Sequence, residues 1–476
     1  MRVGPPSSPA VLASSQGRED VDVLSKVPTR IRTIWASSDN AGIVSRMRDA
    51  PLGRLYRERL KQYAIVRSIA RWIWWNIFPL YVRMSVWTKK RYPLVALSNY
   101  ARTHEVAPIR LAEAESIETT QPRIYPICEQ SRLPSLIDRY QFPEIFVAAT
   151  KNGTVMGGTN LVLVDGTIVC HDLYDFRYDW TAEEMHGRAL ISPGSKHVRL
   201  VFRDKNPETV PAAATFVDAC APNYAHWMTE VLPRLALFCS EERFKGVPVI
   251  VNDGLHPNIM ESLFLIAGAN REVIKLPIGK ALVVENLYLT SVAGYVPFER
   301  RGNFGSGHSH GKFSGQALKH LRRCVEGAIG HETKETEWPK KLYLRRNSGV
   351  RKIANAVEIE TLMSEYGFFI IDPEQLTFRQ QVEYFSRAHV IVGPTGAGFA
   401  NTVFCQPGTH GAVLISKHKD LSYKYWVNML NPLGINFSYV LGDISDNHEY
   451  GVHSDFVVDT SYLMEFLADL EQTLQV

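Results

Sequence analysis

His389-Val390-Ile391-Val392-Gly393-Pro394-Thr395-Gly396-Ala397-Gly398-Phe399-Ala400-Asn401 decides how this chain folds. His389 to Val392 read as a strand, and the glycines turn the chain into a helix, the basic step of an α/β layer. Three glycines let backbone N–H groups come close to a phosphate, and the helix that follows adds its positive end. The spacing Gly393-x-x-Gly396-x-Gly398 also resembles a dinucleotide-binding loop. That loop normally opens its domain with most of the sheet still to come, whereas only about 60 residues follow Ala412 here. No Gly-x-x-x-x-Gly-Lys-Ser/Thr occurs, so a P-loop is excluded. A tight turn with no ligand is the plain alternative.

The flanking residues extend the unit. Leu342 to Leu344 is a strand, followed by the basic loop Arg345-Arg346-Asn347-Ser348-Gly349-Val350-Arg351. Asn355 looks like an N-cap with Glu358 three residues on, and that helix stops near Gly367. Strand Phe368 to Ile371, helix Thr377 to Ser386 and strand Ala412 to Ile415 complete the set. Ligands of an open parallel sheet bind beyond the carboxyl ends of its strands. Arg345, Arg346, Arg351 and the glycine loop all follow such ends, so they can converge on one anion. An exposed basic loop is the bland reading.

A second stretch, Asn223-Tyr224-Ala225-His226-Trp227-Met228-Thr229-Glu230-Val231-Leu232-Pro233-Arg234, organises the other half. At about 100° per residue Asn223, His226, Glu230 and Arg234 share one polar stripe, with Ala225, Met228, Leu232 and Ala236 opposite. The i, i+4 spacing lets Glu230 hold the His226 ring in one tautomer and support its charged form. Pro233 lacks the N–H that would bond the Thr229 carbonyl, so a kink is expected beside Glu230. A buried polar network or a stripe of surface ion pairs would leave the same pattern.

Elsewhere, residues 120–220 read as short strands, with Asn152-Gly153 and Asp165-Gly166 as hairpin turns and Thr215 to Val217 as one strand. Val247 to Val251 is an apolar run suited to a strand buried on both faces. Residues 293–315, with Arg300, Arg301, His308 and His310, read as a mobile loop over a cleft. Gly330 to Lys341 reads as a linker, and Ser461 to Leu474 as an amphipathic helix returning to the first domain. Residues 1–50 lack any period and read as a disordered tail. Tyr63 to Trp87 holds Trp72, Trp74, Trp75, Phe78 and Trp87, interrupted by Arg67, Arg71 and Arg83. It is too charged to span a membrane. It fits a basic helix lying on an anionic membrane, or one packed on the body or in a homo-oligomer interface.

Composition narrows the class. Lys plus Arg is 53 against 49 Asp plus Glu, a balance that gives no support to nucleic acid as a partner. Cys128, Cys170, Cys220, Cys239, Cys324 and Cys405 form no Cys-x-x-Cys, so neither a zinc cage nor a redox pair is supported. Sparse thiols in 476 residues fit a reducing compartment. Met1-Arg2-Val3-Gly4-Pro5-Pro6 leads into no apolar run, so a secretory leader is not expected.

One half thus offers a phosphate cradle and the other an Asn/His/Glu stripe. Sugar transfer from a nucleoside diphosphate needs both, a base for the acceptor proton and cations for the departing diphosphate. The Asp-x-Asp that often holds a divalent metal occurs only as Asp20-Val21-Asp22, in the tail, so no metal site is expected. Asn223-Tyr-x-His-Trp-x-x-Glu-x-Leu-Pro-Arg, then Tyr343-Leu-Arg-Arg with Arg351-x-Ile353-x-Asn355, then Gln381 and Gly393-x-x-Gly396-Ala397-Gly398-x-x-Asn401, resemble glycosyltransferase family 61, including its bacterial capsular-polysaccharide-type members. The resemblance covers roughly residues 140–440.

That resemblance implies a GT-B architecture, two Rossmann-like domains facing a cleft, with inverting chemistry and no cofactor or obligatory metal. It puts His226 and Glu230 at the acceptor, His226 being first choice as base, with the roles reversible. Asn223 and Arg234 support them. On the donor side stand Arg346, Arg351, Asn355, Gly393, Thr395, Gly396, Ala397, Gly398 and Asn401. The partners implied are a nucleoside-diphosphate sugar and a glycan acceptor, in the cytoplasm or on the inner face of the membrane through residues 63–91. Thr395 stands where the family usually has histidine, and Ala356 where glutamate often follows the asparagine. The strand Ala412 to Ile415 lacks the acidic residue often found there. The alternative is therefore a non-catalytic, membrane-associated scaffold or binding module on the same fold. The expected division is a tail (1–50), a basic aromatic helical extension (51–120), a β-rich acceptor domain (121–329), a donor domain (342–445) and a C-terminal helix packing back (446–476).

Overall fold

The strand expected at 389–392 runs Val390–Pro394, and all five residues are buried. In the computed structural model, which describes residues 31–33, 90–132, 138–192, 196–201, 204–297, 299–300, 311–330, 338–347, 351–418, 423–445 and 454–474 with isolated positions between 66 and 84, it is the centre of a sheet. The order is Phe369–Ile371, Lys341–Leu344, Val390–Pro394, His410–Ser416 and Asn436–Ile444, all parallel. In chain order these strands lie 2-1-3-4-5, so the winding reverses between Lys341–Leu344 and Val390–Pro394. Continuous apolar strands such as Ala412 to Ile415 suit this arrangement, because helices cover both faces of a parallel sheet.

The sheet is completed from outside the expected donor domain. Arg123–Tyr125 adds parallel to Asn436–Ile444, and Phe456–Val458 adds antiparallel to the same strand. Helix Thr460–Leu474 packs on this second sheet, where it meets the strand Arg123–Tyr125 contributed by the expected acceptor domain. Arg123 Nη1 and the Tyr125 hydroxyl both donate to Asp469 Oδ2, at 2.8 and 2.9 Å.

The first sheet has twelve strands among the described residues. Ile31–Thr33, Val273–Leu276, Val249–Asn252, Glu208–Thr215 and Ala281–Thr290 are parallel, and Ile145–Met156 joins antiparallel to the last. The winding here reverses between Glu208–Thr215 and Ala281–Thr290. Three residues of the expected tail, Ile31–Thr33, thus form an edge strand, and Arg91–Ala96 of the expected helical extension pairs with Thr167–Cys170. The strand placed at 215–217 lies earlier, at Glu208–Thr215. Asp165-Gly166 makes its hairpin, both residues at positive φ. Asn152-Gly153 does not, because the strand Ile145–Met156 runs straight through with its partner Leu287 packed over Gly153.

A single apolar cluster joins the two sheets, running from Trp227 and Leu235 to Phe399 and Phe404. Polar contacts lock the same seam. Glu261 caps helix Phe378–Arg387 by accepting the Phe378 N–H at 2.8 Å, and Asn258 Nδ2 donates to the Leu376 carbonyl at 2.9 Å. Among the described residues no helix is long and apolar enough to cross a membrane. The aromatic run 63–87, the Asp20-Val21-Asp22 triplet, Arg301, His308 and His310 lie outside the described residues or at their isolated positions.

Candidate active site

The second stretch forms a helix with an irregular middle. Asn223 caps it, its Oδ1 accepting the Ala225 N–H at 3.0 Å. Tyr224–His226 is α-helical, Trp227–Val231 is a π-turn, and Leu232–Ser240 returns to α geometry. A π-turn stands where a proline kink was expected: the Leu232 N–H reaches back five residues to the Trp227 carbonyl. Pro233 then falls in the first turn of the α segment, where a missing N–H costs nothing. Gly294 lies against the turn, where a Cβ would strike the Thr229 carbonyl. Such insertions re-aim side chains and recur at functional sites.

The polar stripe is real but divided. His226 Nδ1 is hydrogen-bonded to Glu230 Oε1, and Glu230 Oε2 accepts the Val296 N–H at 3.3 Å. His226 is 8% exposed and Glu230 7%, so each is covered but set among polar groups. Burial works against the imidazolium, yet the charge and hydrogen bond of Glu230, with the field of Asp218, carry its proton affinity above the ordinary value. Burial raises Glu230 as well, opposed by His226. The bond at Nδ1 leaves Nε2 as the basic nitrogen of the neutral ring. One turn on, Arg234 is 4% exposed, lies within the field of Glu230, and lines a cavity of about 30 Å³ with Asn160, His171, Thr215 and Thr290.

The arginine and glycine loops meet at the reversal point of the second sheet. Gly396 faces Arg346 so closely that a Cβ there would overlap its Nη1. The segment Ala397–Phe404 that follows is a 3-10 helix, and its leading N–H groups have no partners within the helix. Arg351 holds a left-handed backbone, φ 60°, a conformation costly outside glycine and concentrated at ligand sites. Burial and the neighbouring Arg346 bring its guanidinium down to about 10. Two half-buried guanidinium groups side by side can share one anion.

Several expected donor residues have other duties. Arg345 turns away and forms a two-point ion pair with Glu360, at 2.9 and 2.5 Å. Asn355 does not cap its helix with its side chain; it exchanges hydrogen bonds with the backbone of Val458 and reaches Glu358. Thr395 is buried, and its hydroxyl accepts the Trp426 indole N–H at 3.3 Å. Asn401 is wholly buried. It accepts the Tyr224 hydroxyl at 2.6 Å and donates to Gln381 Oε1 at 2.5 Å and the Gly398 carbonyl at 3.1 Å. It is a bolt between the two halves. Gly393 and Gly398 pack on Leu344 and Pro373.

Residues the sequence reading missed join the site. Tyr425 stands between the halves, its hydroxyl bonded to the Thr229 side chain and within the fields of Glu230 and Arg351. Asp218, at a strand's carboxyl end, faces Arg234 at 3.6 Å. Position after a parallel strand was the available signal for Asp218; nothing marked Tyr425.

Residues 224–412 match the family model described as Glycosyltransferase 61. This segment is similar to glycosyltransferase family 61. The matched segment starts on the His226 helix and ends in the strand beside the glycine loop, so it spans both halves of the site. No curated protein matches the chain.

Proposed function

We propose that this transferase has a GT-B design and moves a sugar, with inversion, from a nucleoside-diphosphate donor to a hydroxyl of a glycan acceptor in polysaccharide biosynthesis, of the bacterial capsular type. His226 Nε2 removes the acceptor proton as the acceptor oxygen bonds to the anomeric carbon. The bond from that carbon to the diphosphate breaks, and the diphosphate leaves with the electron pair. Arg346, Arg351 and the leading N–H groups of Ala397–Phe404 take up its charge in place of a metal. Glu230 holds the ring and supports the imidazolium that forms. The work belongs in the cytoplasm or on the inner face of a membrane.

The observation that carries this reading is the packing of the His226–Glu230 turn directly on the segment that follows the glycine loop, bolted by Tyr224 and Asn401. The test is His226→Ala, assayed with a panel of nucleotide sugars. Transfer and slow donor hydrolysis should fall by about a thousandfold or more while nucleotide still binds. Unchanged turnover removes His226 as the base.

A further inference from the structure

Asp218 plays no part in the reaction as written above, yet it is held from several directions. It lies just beyond the strand Glu208–Thr215, where the first sheet reverses. Its N–H donates to Asn252 Oδ1 at 3.0 Å, and its carbonyl accepts from Asn252 Nδ2 at 2.9 Å. Its carboxylate accepts the Cys220 N–H at 2.9 Å and Asn160 Nδ2 at 3.3 Å. A carboxylate fixed this way is a charge at a defined point.

Arg234 is the link to the pair. It follows Glu230 by four residues, and its Nε and Nη2 make no hydrogen bond among the described residues. Asp218 sits 3.6 Å from Nη2 without bonding to it, so charge rather than hydrogen-bond geometry holds this buried cation. The field of Asp218 reaches His226 and Glu230 as well.

The other ionisable groups around the pair are accounted for. Cys220, Tyr295 and Tyr425 are pushed up by burial and stay neutral. His171, behind Arg234, is pushed down to about 3 by burial and by that cation. Glu183 faces Thr159, Asn160 and Tyr174, and Tyr174 is itself pushed up by burial. Arg351 lies on the far side of Tyr425. Asp218 and Glu230 are the anions whose fields act on Arg234, and Asp218 is the one outside the pair.

We propose that Asp218 is a positioning residue: by neutralising Arg234 and through its own field it keeps His226 basic enough for its task. This rests on the reading of His226 as the proton acceptor. Asp218→Asn keeps the shape and the Cys220 contact but removes the charge. The probe is carbon-labelled histidine followed by NMR across a pH titration, with the His226 signal assigned by its loss in His226→Ala. In Asp218→Asn the proton affinity of His226 should fall about tenfold or more, and the acid limb of kcat/KM should move to lower pH with it. Asp218→Glu should recover most of the shift. Arg234→Gln, which removes the intervening cation, should move the titration the opposite way, and it serves as the test if Asp218→Asn does not fold. A purely structural Asp218 would lower thermal stability and leave both titrations where they are in the wild type, which overturns the proposal. Transfer that survives in His226→Ala, with the Asp218→Asn shift intact, would sink the base assignment and spare the coupling.

Discussion

Asn401→Ala separates a donor contact from a structural bolt. Asn401 is fully buried and its side chain makes three hydrogen bonds, with the Tyr224 hydroxyl, Gln381 Oε1 and the Gly398 carbonyl. Removing it strands a hydroxyl, an amide oxygen and a peptide carbonyl away from water. Each costs about 1–3 kcal/mol, so a loss of roughly 3–9 kcal/mol is expected, which for a protein of this size is a fall in Tm of roughly 3–9 °C. Tyr224→Phe removes only one partner and should cost about 1 kcal/mol. Because the two residues share a bond, the double variant should cost less than the sum of the singles. Calorimetric scans of the four proteins, paired with nucleotide titrations, make the measurement. The reasoning is refuted if Asn401→Ala melts with the wild type, and most clearly if it does so while losing nucleotide affinity, since that is how a direct donor ligand behaves.

Two further outcomes follow from the pair and the arginines. His226 binds its proton more tightly than an ordinary histidine, so kcat/KM should rise with pH through a midpoint above about 6.5, and a midpoint below that value contradicts the Glu230 contact. The stability that the protonated pair contributes should be full below about pH 6.5 and lost as pH rises through the folded value, as a melting series across that range would record. With guanidinium groups carrying the diphosphate charge, transfer should be unchanged in excess chelator; activity that returns only with added divalent cation refutes that assignment.

Four of the second sheet's parallel strands were legible as short apolar runs, Val390 to Gly393 above all, while the fifth, Asn436–Ile444, went unread. The sheet's edges were not legible either. Arg123–Tyr125 and Phe456–Val458 are three residues each and come from distant parts of the chain, and such pairing leaves no local period. Residues 31–33 join an edge for the same reason. The His226–Glu230 contact was readable because helical spacing alone brings the two together. The π-turn was not, since it depends on how Pro233 and Gly294 pack in three dimensions. The structural bonds of Asn355 and Asn401 were not readable, because an asparagine that recognises a ligand and one that stitches the fold look alike in sequence. Asp218 and Tyr425 reach the site through tertiary contacts and carry no motif.

The account stands on a diphosphate gripped where the arginine and glycine loops meet. Titration of nucleoside diphosphates into wild type and Arg351→Met by calorimetry tests this most directly. Loss of one charge-assisted contact should weaken binding by about ten- to a hundredfold, with the fold and melting point kept. Equal affinity in the two proteins would mean that the diphosphate binds elsewhere.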